Sequence, residues 1–170
     1  MARILNHLLQ PFVTGTATLT IDDACFRGPF VQELTLRATF SADCRRVSLD
    51  SDLRIVVGPF DTPIGANTIT ITLIGGGTGS FDLPSGHMQI PITPHLDHSL
   101  RDIFVSDSDV DFALTTGTAS SPSVVFTVTG SPLNRSTGII ILVGASRFRG
   151  GFLAGIDCSL ILAGTLIPVP

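Results

Sequence analysis

In six separate runs between residues 16 and 114 apolar and polar side chains alternate with a period of two, the spacing of strands with one buried face. Thr16, Thr18 and Thr20 alternate with Ala17, Leu19 and Ile21. Leu34, Leu36, Ala38 and Phe40 oppose Glu33, Thr35, Arg37 and Thr39. Val47, Leu49, Ser51, Leu53, Ile55 and Val57 share a face against Ser48, Asp50, Asp52 and Arg54. Ile69, Ile71 and Leu73 alternate with threonines, Met88, Ile90 and Ile92 with His87, Gln89 and Pro91, and Val110, Phe112 and Leu114 with Asp109, Asp111 and Ala113. Three later runs, Val124–Val128, Ile139–Val143 and Leu160–Leu162, are apolar on both faces, which predicts strands covered on both sides by a partner sheet, a lid or another subunit.

Composition points the same way. Lysine is absent and Glu33 is the sole glutamate, so the residues that usually populate exposed helix faces are nearly missing. Only 14% of the chain is charged and 44% is hydrophobic, against about 25% charged in ordinary domains. The expected fold is all-β: one domain over 1–170, an antiparallel barrel with about 8–10 strands. A two-sheet β-sandwich is the alternative. Ile4, Leu5, Leu8 and Leu9 lie on one side of a short helix that Pro11 ends, so residues 1–12 are expected to form a helical lid or arm.

A net charge of −4 and scattered arginines, with Arg45-Arg46 and Arg147/Arg149 the only close pairs, disfavour nucleic acid and anionic membranes as partners. The N-terminal apolar run is broken by Asn6 and His7, so the expected location is cytoplasmic. Cys25, Cys44 and Cys158 lack metal-type spacing and are expected as buried, reduced thiols.

Turn chemistry is explicit at two places. Asp82-Leu-Pro-Ser-Gly86 and Asn134-Arg-Ser-Thr-Gly138 both set an Asx residue four places ahead of glycine, which predicts an Asx-bonded turn closed by a left-handed Gly. Gly75-Gly-Gly-Thr-Gly79 lacks the lysine and following helix of a phosphate loop and predicts a bulge or a barrel corner.

Ionisable side chains are densest at His95-Leu-Asp-His98 with Arg101 and Asp102. Two imidazoles and a carboxylate are ordinary zinc ligands, but the spacing matches no recognised site and Pro94 precedes it, so a solvated loop is expected and no metal. Asp107-Ser-Asp-Val-Asp111 opens like a calcium loop, yet Phe112 and Thr118 stand where glycine and glutamate are needed; the wet face of a strand accounts for it.

Gly144-Ala-Ser-Arg-Phe-Arg-Gly-Gly151, leading into Leu160–Leu166, resembles the glycine–phenylalanine hairpin of allene-oxide-cyclase-like and dirigent-like barrels through Gly144, Phe148 and the following glycines. Ser146 replaces a glycine of that pattern, and its later alanine is displaced. The resemblance covers the last third of the chain and implies a barrel whose interior steers a lipophilic intermediate, as in cofactor-free natural-product cyclases of the [4+2] kind. It carries over no catalytic residue.

Two functions are therefore expected. One is a barrel that carries a lipophilic small molecule or acts on it by confinement, with no cofactor, tuned by Glu33, Arg37, His87, Gln89, His95 and Phe148. Glu33 and Arg37 serve it only if their face is the inner one. The other is a non-enzymatic, self-associating β subunit, because strands apolar on both faces need a cover. A homo-oligomer fits either.

Overall fold

A computed structural model describes residues 12–24, 27–49, 54–73, 77–101 and 103–167. The expected N-terminal lid and Cys25 lie outside the described residues. The sequence alternation is realised as an eight-stranded closed barrel whose staves follow one another up and down in chain order. They are β1 (Phe12–Ile21), β2 (Phe30–Phe40), β3 (Arg46–Leu49), β6 (Gly77–Asp82), β7 (His87–Ile92), β10 (Phe112–Thr115), β13 (Ile139–Arg147) and β14 (Asp157–Ile167). Antiparallel pairing of β14 with β1, from Phe12↔Ile167 to Ile21↔Cys158, closes the ring. Closure leaves the ring itself no free edge.

Two hairpins stand beyond the ring: between β3 and β6 the chain forms β4 (Arg54–Thr62) and β5 (Gly65–Leu73), and between β7 and β10 it forms β8 (Pro94–Leu100) and β9 (Ile103–Asp109). They pair as a second antiparallel sheet, β4-β5-β8-β9. The run read from sequence as a solvated loop, His95–His98, is thus strand β8. The odd–even phase survives the passage: Met88, Ile90 and Ile92 face the barrel core, and Pro94, Leu96 and His98 continue the buried face above it. Ile69, Ile71 and Leu96 accordingly join the same buried apolar cluster as the barrel-facing Leu19, Phe40, Ile90 and Leu160. Each such side chain contributes about 1.5–3 kcal/mol. The polar face carries Asp107 and Asp109 opposite buried Ser108 and Val110, as the acid ladder predicts.

The raised sheet leans on the connection between β13 and β14. Its short 3-10 turn, Gly151–Leu153, brings Phe152 to His98 with ring centroids 5.5 Å apart, while Ser108 Oγ donates to the Gly150 carbonyl at 2.6 Å. Phe148 and Leu153 are buried in that connection.

Both Asx turns form at the opposite rim. Ser85 N–H donates to Asp82 Oδ2 and Ser136 N–H to Asn134 Oδ1, and Gly86 and Gly138 close them at φ 74° and 75°. The turns abut, with Leu133 N–H donating to the Gly86 carbonyl at 2.9 Å.

Beside the doubly apolar stave β13 lies a two-stranded hairpin, β11 (Thr118–Ser120) and β12 (Thr127–Thr129); on the outer face of β13 Val143 is buried while Ile139 stays exposed. Val124 and Val125, expected within a strand, stand instead in the exposed turn of this hairpin. A clamp on the barrel wall holds the hairpin. Asp157 accepts from Arg147 Nε at 2.7 Å and from Ser123 N–H at 3.0 Å, and Arg147 also donates to Ser123 Oγ. Burial pushes the Asp157 carboxyl up, but hydrogen bonds from Arg147, Ser121 and Ser123 and the guanidinium charge outweigh it and hold it below the usual carboxylate range. Replacing Asp157 by Asn removes the charge from these bonds. We expect a loss of about 1.5–3 kcal/mol in urea unfolding and faster proteolytic cleavage within 118–129, with the rest of the barrel resistant.

Candidate functional site

Three places merit inspection: the barrel interior, the polar face of the raised sheet and the outer wall. The interior is lined by Val13, Leu36, Phe40, Met88, Leu142 and Leu162 among others, and the space they leave is about 30 Å³. A small-molecule site occupies roughly 300–1,000 Å³. Eight strands give a diameter that ordinary side chains fill, and here they fill it: Phe40 and Phe81 meet edge to face, with centroids 4.9 Å apart.

None of the six residues expected to tune a pocket lines this space. Glu33 and Arg37 are exposed on β2, because Leu34, Leu36 and Ala38 take the inner phase. His87 and Gln89 are exposed on β7 for the same reason, with Met88 and Ile90 inside. Alternation puts these four on the outer wall and outside the barrel interior. Phe148 is buried at 2% exposure, packed within the β13–β14 connection above the barrel. Gly144 is an inner-face glycine, where a Cβ would lie 2.9 Å from the Phe112 ring.

His95 stands on the polar face of the raised sheet, half-buried among carboxylates. Its Nδ1 lies 2.8 Å from Asp109 Oδ1, and its Nε2 lies 3.3 Å from Asp97 Oδ1 and 3.8 Å from Asp107 Oδ2. Strand pairing explains the gathering: His95↔Asp109 and Asp97↔Asp107 are opposite pairs on β8 and β9. Asp109 above all, then Asp97 and Asp107, raise the His95 pKa above 6.5 against the effect of burial. Among the described residues no group of three or more His, Cys, Asp or Glu is arranged to hold a metal ion.

His98, three residues on, occupies the opposite face and is 3% exposed. Its Nε2 lies 2.7 Å from Asn67 Oδ1, whose amide nitrogen donates to the Gly65 carbonyl. That orientation makes Nε2 the protonated nitrogen of a neutral ring, and burial lowers the His98 pKa below 6.5. Sequence placed both imidazoles in one candidate cluster; strand phase sends them to opposite faces with opposite shifts.

Cys44 and Cys158 are buried free thiols, as expected. Burial, with the Asp157 charge, pushes the Cys158 pKa up to about 12, which removes it as a nucleophile.

The outer wall is divided. On β3, β6 and β7 it is polar, with Arg46, Ser48, Thr78, Ser80, His87 and Gln89 pointing out. On β13, β14, β1 and β2 the register lines up Val143–Ile161–Thr18–Val31, Ile141–Ala163–Thr16–Glu33 and Ile139–Thr165–Thr14–Thr35 in neighbouring rows. Glu33 is the one charged residue in those rows.

No protein-family model matches the chain, and no curated protein or solved structure matches it. Among the described residues no helix is long and apolar enough to cross a membrane.

The two histidines set opposite pH linkages. His95, with its folded pKa raised, contributes stability that is fully present below about pH 6.5 and is lost as pH rises through the folded value. His98, with its folded pKa lowered, contributes stability that is full above about pH 6.5 and falls away as pH drops toward the folded value. Urea unfolding across the pH range should therefore show wild type losing its advantage over His95→Gln as pH rises. A gap independent of pH would contradict the assignment.

Proposed function

We propose that this barrel works through its outer wall, as a self-associating β subunit, rather than as a container for a small molecule. The supporting observation is the four-stave outer face of β13, β14, β1 and β2. Val31 is 62% exposed, Ile139 49% and Ile167 47%, and half-buried Ile141, Ile161 and Ala163 join them in a threonine-rich surface. A monomer gains little from leaving β-branched side chains there with Glu33 and Arg37 as the only charges on the β2 part of the face. A second copy related by a two-fold axis would cover the patch with itself. The filled interior supports the same reading, since a lipophilic guest would need at least about ten times the space present.

Light scattering coupled to size exclusion tests the reading. Wild type should run as a dimer or larger at about 100 µM, and Val31→Arg/Ile139→Arg should weaken association at least about tenfold while leaving the far-UV spectrum unchanged. A monomeric wild type overturns the proposal. In parallel, a medium-chain fatty acid should leave Tm unmoved; a saturable rise would restore the container.

A further inference from the structure

The polar half of the outer wall carries a feature that self-association does not use. At the rim where β2 turns into β3, an open groove of about 560 Å³ is lined by Asp43, Arg45, Arg46, Thr78, Gly79 and Ser80. Pairing builds it: Arg46↔Ser80 and Ser48↔Thr78 are opposite residues of β3 and β6, and the tight 41–45 turn adds Arg45 beside them. Cys44 takes φ 55° in that turn, and Ser41 Oγ receives the Arg46 N–H, so the backbone between the two arginines is fixed.

We propose that this groove binds the oxyanion of a phosphate or sulfate ester, with Arg45 and Arg46 as its cationic arms and Ser80 and Thr78 as hydroxyl donors. Both arginines are exposed, and neither guanidinium makes an ion pair within 4.0 Å with a described carboxylate. They bring two positive charges to a wall whose other charge in the groove is Asp43. The planar guanidinium fork suits a tetrahedral oxyanion and engages it through paired N–H groups. The Asp43 carboxylate is already occupied: its Oδ1 accepts from Ser41 Oγ at 2.5 Å and from Arg45 N–H at 3.2 Å. Those bonds, that of Ser41 first, together with the Arg45 charge hold its pKa down against desolvation, so it opposes the anion and partly offsets Arg45 while fixing the turn. Ser48 Oγ and Thr78 Oγ1 lie 2.9 Å apart, and with Ser48 donating in that bond the Thr78 hydroxyl proton is left to donate into the groove. The groove is far larger than one ion, which leaves room for the organic part of an ester.

Titration of the full chain, followed by backbone amide shifts, reads the proposal directly. Inorganic phosphate should move the amides of 43–48 and 78–80 saturably, with a Kd on the order of 1 mM, whereas sodium chloride at equal ionic strength should not. Glucose 6-phosphate and glucose 6-sulfate distinguish the source: tighter binding than inorganic phosphate by either marks an ester site of that kind, while equal binding marks a site for the free ion. Arg45→Gln/Arg46→Gln should weaken binding at least about tenfold. Shifts that track ionic strength alone, or that persist in the double arginine variant, would overturn the proposal.

Discussion

The constancy of side-chain phase from β7 into β8 and from β9 into β10 organises the molecule. A slip of one residue between β7 and β8, or between β9 and β10, would turn Leu96, His98 and Ser108 to solvent and bring His95, Asp97 and Asp109 against apolar neighbours. Burying one of those carboxylates without a partner would cost several kcal/mol. The phase is therefore enforced from both faces, and the barrel lining and the buried face of the raised sheet become one surface. Everything above the rim depends on it, including the tilted contact of Phe152 with His98 and the gathering of three acids about His95.

Much of this is written in local pattern. Period-two runs gave the staves, and the Asx–x–x–x–Gly segments gave two turns, because only a left-handed residue closes them and glycine adopts that conformation without cost. The acid ladder at Asp107–Asp111 read correctly as a wet strand face. The raised sheet was less legible. Alternation says which residues share a face but not which strands pair, and Pro94 with its cluster of polar neighbours masked a strand whose Leu96 and His98 keep the phase. The hairpin over β13 was foreshadowed only as a demand for cover.

The candidate site was the least legible part. Whether a barrel is hollow depends on the fit of inward volumes to a fixed diameter, a sum over all staves that no local motif expresses. Residues such as Glu33, Arg37, His87 and Gln89 attract notice by being polar amid apolar runs, yet that same alternation is what turns them outward. Arg45 and Arg46 stood out as an adjacent pair, while their hydroxyl neighbours on β6 became neighbours only through the β3–β6 register.

The seam between β1 and β14 has a kinetic consequence. Its partners, such as Phe12 and Ile167, stand at opposite ends of the described chain, so the ring cannot shut until the last stave is in place. Until then β1 offers a bare hydrogen-bonding edge, as does whichever stave has most recently joined. Contacts of such wide sequence separation form slowly. A half-assembled ring could satisfy that edge with a strand from another molecule, so the fold that ends without ring edges passes through its most adhesive state just before completion.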